Sequence, residues 1–168
     1  MPNGAKHLYR YTNTHTVKNI IRGMLEYSNN FMANQLFLNL ASSESDEPVS
    51  FTQAALYTEQ KLAQLFAWQG HRLVEGSGLS RLNRLSAQQI DDLLFKLEPY
   101  KTLFKTTSNI NAKVRAKTGT LNGVRSFAGY IDFEQTSYRF VFVFNRQVPW
   151  RHREQLLATL VDQLAKRQ

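Results

Sequence analysis

Apolar residues at Val17, Ile20, Ile21, Met24 and Leu25 recur at offsets of three and four, which gathers them on one face of a helix ending near Tyr27. Ser28, Asn29 and Asn30 break the run. Asn30 has N-cap chemistry, and Met32, Leu36 and Leu40 resume a helical pattern over Phe31 to Leu40, so the polar triplet marks a junction between helices. Ala41 to Pro48 reads as an exposed loop, after which Ser50 and Gln53 have capping-box spacing. The helix that follows should run to about Gln69 and stop at Gly70. His71 to Glu75 suggests a short strand entering the Gly76-Ser77-Gly78 turn. Ser86 and Gln89 repeat the capping-box spacing ahead of Ile90, Leu93, Leu94 and Leu97, and Pro99 should end that helix.

The period then changes from helical to alternating. Val114, Ala116 and Thr118 alternate with Lys113, Arg115 and Lys117, and Asn122-Gly123 is a hairpin-turn signal. Val124 to Phe133 and Tyr138 to Phe144 are rich in aromatic and β-branched residues. The expected fold is α/β (α+β): a three-stranded antiparallel sheet, about Asn111 to Thr120, Val124 to Phe133 and Tyr138 to Arg146, packed on a closing helix. Pro149 suits the first turn of that helix, and Leu156, Leu157, Leu160, Val161 and Leu164 form its apolar face. Residues 1–15 read as an N-terminal extension, 16–99 as a helical part and 111–167 as sheet and closing helix. Phe140 to Phe144 is apolar in both alternation sets, which implies burial on both faces.

With 168 residues and 42% hydrophobic composition the chain can bury a sizeable core. A net charge of +8 favours polyanionic neighbours such as nucleic acid, anionic lipid or an acidic wall polymer, without choosing among them. The absence of cysteine removes disulfides, thiolate metal sites and cysteine nucleophiles together. Residues 1–16 contain no apolar signal-peptide core, and no later stretch is long and apolar enough to span a bilayer, so the chain as written reads as soluble and unexported. His7, His15, His71 and His152 are scattered, His71 reading as a surface residue, and neither a metal nor a cofactor is expected.

Three motifs stand out: Ser28-Asn29-Asn30, Glu75-Gly76-Ser77-Gly78-Leu79-Ser80-Arg81 and Lys117-Thr118-Gly119-Thr120. Taken singly, the first is the chemistry of helix caps and the second that of a turn. The third places a glycine at the end of a strand, where it weakens packing but permits close approach. Lys117 there can offer an ammonium to a carboxylate or a hydroxyl, and the strand edge can offer backbone hydrogen bonds to an extended peptide; a solvated lysine entering a hairpin is the simpler alternative.

In this order, with Met24 to Ala33, Glu75 to Arg81, Ala116 to Leu121 and Phe127-Ala128-Gly129-Tyr130 as context, the motifs resemble the S-x-N and K-T-G elements of the β-lactamase and penicillin-binding superfamily. The wording is similar to the low-molecular-mass class C penicillin-binding proteins, serine-type D-alanyl-D-alanine carboxypeptidases/endopeptidases acting on peptidoglycan, from about Thr16 to the end. The resemblance implies the C-terminal portion of a transpeptidase-like fold. By that resemblance Ser28, Asn30 and Lys117 are catalytic, Ser28 relaying a proton, Asn30 holding the acyl part of the substrate and Lys117 meeting its carboxylate. Thr118 and Thr120 would contact the same carboxylate, Gly119 would leave room for the peptide, and the Thr120 N–H would serve the oxyanion hole. The Glu75 to Arg81 motif would brace the return to the sheet; the family more often has aspartate at the place of Glu75.

The family's S-x-x-K nucleophile motif is absent, since no serine of this sequence is followed three positions later by lysine. The chain is therefore expected to be inactive alone, to bind stem peptides or β-lactams only weakly, and to act with an N-terminal partner segment. A non-catalytic peptide-binding module is the alternative. The family implies the periplasm or cell envelope, nucleic acid is not an expected partner, and apolar surface left bare by the missing half should drive homodimerisation on the side of the sheet away from Lys117.

Overall fold

The computed structural model describes residues 9, 11–43, 47–107 and 112–166. Helix α1 (Val17–Tyr27) is capped by Thr16 and α2 (Asn30–Ser42) by Asn29, whose Oδ1 accepts from Met32 N at 2.9 Å. Asn29 rather than Asn30 is thus the cap, because Ser28 turns the chain one residue earlier than the pattern suggests. Helices α3 (Phe51–Phe66) and α4 (Ala87–Leu97) both start with complete capping boxes, at Ser50 with Gln53 and at Ser86 with Gln89.

Helix α3 stops at Phe66, short of Gln69, with Ala67 in the left-handed region at φ 52°. The cause is tertiary: Trp68 leaves the helical path, stacks on Phe66 and donates from Nε1 to Asp92 Oδ2 at 2.8 Å. His71 is likewise not a surface residue. Its ring lies edge-on to Trp68, and both ring nitrogens are buried without a hydrogen-bond partner. Between Arg72 and Glu75 the expected strand is reduced to one antiparallel bridge, Arg72 to Arg84. Helix α4 ends at Leu97, just ahead of Pro99 as expected, and Pro99 sits in the first turn of a following 3-10 helix, Glu98–Leu103, where its missing N–H costs nothing.

The sheet has four antiparallel strands in chain order, β1 (Thr106–Thr107), β2 (Lys113–Leu121), β3 (Val124–Phe133) and β4 (Thr136–Phe144). Strand β1, two residues long, is too short to carry a period, which is why the alternating pattern indicates only the other three. Asn111, the expected start of the first strand, lies outside the described residues. Gly123, at φ 74°, takes the positive-φ position of the β2–β3 turn, as Asn122-Gly123 foretells. Helix α5 (Trp150–Ala165) follows Pro149, which is its N-cap rather than part of its first turn.

Sheet alternation separates two apolar layers. Val114, Ala116, Phe127, Ile131 and Phe140 meet Leu157 and Val161 of α5. On the opposite face, Tyr130, Ala128 and Val141 pack with Leu94 of α4, Phe104 and Leu25 of α1. The side away from Lys117 is therefore covered by α5, which removes the bare sheet on which a homodimer interface was expected. Helix α1, by contrast, buries no residue fully, and Val17 is 62% exposed.

Tyr130 has no exposed surface, and its hydroxyl donates to the Leu94 carbonyl at 2.6 Å. Burial, helped by the negative charges of Glu98 and Asp91 against the opposing Arg139, pushes this phenol up to about 12 from 10.0. The folded state therefore retains a proton that the unfolded chain has lost, so stability falls as pH rises through that window. Urea unfolding should show a loss approaching ~3 kcal/mol between about pH 10 and 12 from this group. Tyr130→Phe should lack that component; an identical alkaline slope in the variant would refute the assignment.

Candidate active site

Ser28 ends α1 in the left-handed conformation, φ 52° and ψ 46°, with its backbone N–H bonded to the Met24 carbonyl. A residue with a Cβ adopts this conformation at a cost of about 1–2 kcal/mol. The sharp turn lets α2 start two residues later and presents Ser28 Oγ to the sheet. There Lys117 Nζ, 89 positions away in sequence, donates a hydrogen bond to Ser28 Oγ and a second one to the Thr118 carbonyl at 2.9 Å. Burial lowers the Lys117 pKa from its ordinary 10.5, which eases loss of its proton.

The two residues face a cleft of about 1020 Å³ between the helices and β2. Its lining contains Ser28, Asn30, Lys117, Thr118, Gly119 and Thr120, so every residue singled out by the S-x-N and K-T-G patterns reaches one place. Asn30 is exposed at the start of α2, and its side-chain amide has no partner among the described residues. No three His, Asp or Glu side chains among the described residues converge as metal ligands.

Backbone phase decides what the strand edge offers. Ala116 N donates outward to the Lys105 carbonyl at 3.1 Å, and β1 pairs only with Val114 and Arg115. Because N–H and C=O directions alternate along a strand, Thr118 and Thr120 also turn their backbone groups outward, away from β3. On that outward side no described strand pairs with them, since β1 reaches only Val114 and Arg115. This is an open edge able to receive an extended peptide beside Lys117.

Gly119 differs from expectation in detail. The space that its Cβ would take is filled by the Ser126 hydroxyl of β3, 2.2 Å from the ideal Cβ position, so this glycine admits a side chain of its own sheet. Ser126, which also lines the cleft, gives no motif signal in the sequence.

The Glu75–Arg81 loop lines the cleft as well. Burial of Glu75 opposes ionisation, yet its pKa is lowered because Ser77, Ser80 and Asn83 all donate to the carboxylate. Ser77 N lies at 2.7 Å, Ser80 N at 3.1 Å and Asn83 Nδ2 at 2.7 Å. A carboxylate so occupied holds its own loop rather than acting as a base. Asn34, whose Oδ1 accepts from Gly76 N and Ser77 N, and Asn83 complete this arrangement and stand outside the three motifs.

The profile of the D-Ala-D-Ala carboxypeptidase 3 (S13) family matches residues 2–165. Among solved structures, penicillin-binding protein 4 (dacB) from Haemophilus influenzae in complex with a β-lactam aligns with a TM-score of 0.73 at 23% identity, covering 86% of this chain and 40% of that one. A second structure of the same Haemophilus influenzae protein aligns with a TM-score of 0.66 at 25% identity, covering 77% of this chain and 34% of that one. The chain thus spans well under half the length of those proteins. No curated protein sequence matches it.

Proposed function

The chain belongs to the D-Ala-D-Ala carboxypeptidase 3 (S13) family, and from that premise we propose that it forms one side of a serine-type carboxypeptidase/endopeptidase site for peptidoglycan stem peptides in the cell envelope. The observation that carries this reading is the Lys117–Ser28 hydrogen bond, set in a cleft beside an open strand edge. Peptide in the cleft lies along Thr118 to Thr120, its terminal carboxylate meeting Lys117 and the two threonine side chains. The Asn30 amide holds the acyl portion. A serine hydroxyl from an S-x-x-K segment, which this sequence does not contain, attacks the scissile carbonyl as the lysine of that segment takes its proton, and the Thr120 N–H binds the oxyanion. Ser28, relayed through Lys117, passes a proton to the amine of the departing D-alanine.

The segment that brings the serine covers the apolar face of α1, which buries no residue by itself; a homodimer through that face is the competing occupant. Without the nucleophile the chain binds peptide or β-lactam weakly and does not turn over. A non-catalytic peptide-binding module is the second reading, favoured by the combination of an open edge and a missing S-x-x-K motif.

Incubation with a fluorescent penicillin should leave no covalently labelled band. A stable labelled band would show a nucleophile in this chain. Titration with an N-acylated D-Ala-D-Ala peptide, followed by amide NMR, should shift Thr118 and Thr120, and the absence of shifts at saturating peptide would remove the peptide-site reading. A purified complex with an S-x-x-K segment that then hydrolyses the peptide separates the enzyme from the binding module.

A further inference from the structure

Helix α2, which carries Asn30, and the β2–β3 hairpin, which carries Thr118 to Thr120, form separate walls of the cleft, and the Glu75–Arg81 loop is bonded to both. Asn34 lies one helical turn beyond Asn30, on the same face of α2. Its Oδ1 accepts from Gly76 N at 2.8 Å and from Ser77 N at 3.0 Å. The loop also presses directly on the helix, since a Cβ on Gly76 would lie 2.5 Å from the Ala33 carbonyl oxygen and 2.7 Å from Phe37 Cβ. At its other end Arg81 Nη2 donates to the Asn122 carbonyl, in the turn of the hairpin, at 2.7 Å.

Between these two attachments the loop is internally braced. The Glu75 carboxylate gathers Ser77, Ser80 and Asn83, and Asn83 Oδ1 accepts from Val74 N at 2.8 Å. Gly78, at φ 78°, makes the reversal that a residue with a Cβ would strain. Charged acceptors shared by several backbone donors are among the stronger hydrogen-bonded arrangements, so the segment transmits position rather than absorbing it.

We infer that the Glu75–Arg81 loop is a strut that sets the width of the cleft, with Arg81 as a positioning residue that holds the Thr118–Thr120 edge at a fixed distance from Asn30. Arg81 touches no reacting atom. It acts by restraining the hairpin turn, whose movement would open the strand edge away from α2. Only one guanidinium nitrogen reaches the Asn122 oxygen, so a single donor at that point suffices and lysine can replace it in part. The consequence for peptide binding rests on the reading of the cleft given above, whereas the spacing of the two walls does not.

The absence of cysteine makes the spacing directly measurable. Spin labels placed at exposed positions through Gln35→Cys on α2 and Asn122→Cys in the turn of the hairpin, whose backbone carbonyl the substitution keeps, report the distance between the two walls in the full chain. In that labelled background Arg81→Ala should broaden the distance distribution and Arg81→Lys should restore most of its width, with thermal unfolding little changed because Arg81 is exposed. An N-acylated D-Ala-D-Ala peptide should then bind Arg81→Ala about tenfold more weakly, a change of about 1.4 kcal/mol. An unchanged distribution in Arg81→Ala, or one that Arg81→Lys fails to narrow, overturns the strut. Should the peptide bind neither variant nor parent, the reading of the cleft fails while the distance measurement still decides the strut.

Discussion

Gly129→Ala is expected to destabilise the chain by ~3 kcal/mol or more, at the upper end of overpacking effects. Gly129 pairs with Ala116 across β2 and β3, and a Cβ there would stand 2.1 Å from the Arg115 carbonyl oxygen and 2.6 Å from Ala116 Cα. Both are backbone atoms, so neither can rotate away; β2 itself must move, and Lys117 with it. Gly23→Ala is the internal control. Gly23 lies inside α1 with nothing within 4 Å of its Cβ position, so alanine there should add roughly 0.5–1 kcal/mol through helix propensity alone. Urea denaturation of the two variants checks both signs, and a Gly129→Ala protein as stable as the parent would mean that the β2–β3 register is wrong.

Loss of the Lys117 ammonium should be the largest single effect on ligand binding. A hydrogen bond to a charged group contributes about 1.5–3 kcal/mol, so Lys117→Met should weaken an N-acylated D-Ala-D-Ala peptide by about ten- to a hundredfold. The same residue gives a pH signature. Burial lowers its folded-state pKa below 10.5, so between the folded and the unfolded values the unfolded chain holds the proton and the folded chain does not. Stability therefore rises with pH through that window, the opposite sign to the loss from Tyr130 at higher pH. Peptide binding falls over the same interval, as the ammonium that meets the carboxylate disappears. Lys117→Met should show neither change, and binding that stays equal in parent and variant across the whole range would take Lys117 out of the site.

What could be read directly from the sequence is whatever acts over three or four residues. Ser50 with Gln53 and Ser86 with Gln89 start helices because the side chains that satisfy the free N–H groups lie within one turn of them. Asn122-Gly123 forms a hairpin turn because the positive φ that it needs is a property of the glycine itself. Strand β2 follows from period-two alternation and the long β3 and β4 from their aromatic and β-branched content, and the S-x-N and K-T-G elements are legible as patterns in the sequence itself.

Tertiary structure decided everything that depends on partners far apart in the chain. Trp68 ends α3 early because Asp92 and Phe66 together hold its ring, and β1 exists only because β2 offers it an edge. Helix α5 covers one apolar face of the sheet, whereas the apolar face of α1 stays half-buried, with Val17 exposed. Ser28 is locally a helix-ending residue in a strained conformation, and it becomes a partner of Lys117 only when α1 is set against the sheet. The strut from Asn34 to Asn122 likewise spans contacts separated by 41 to 43 positions. A hydrogen bond at such separation has no local period or spacing to announce it; its geometry is imposed by how the layers pack.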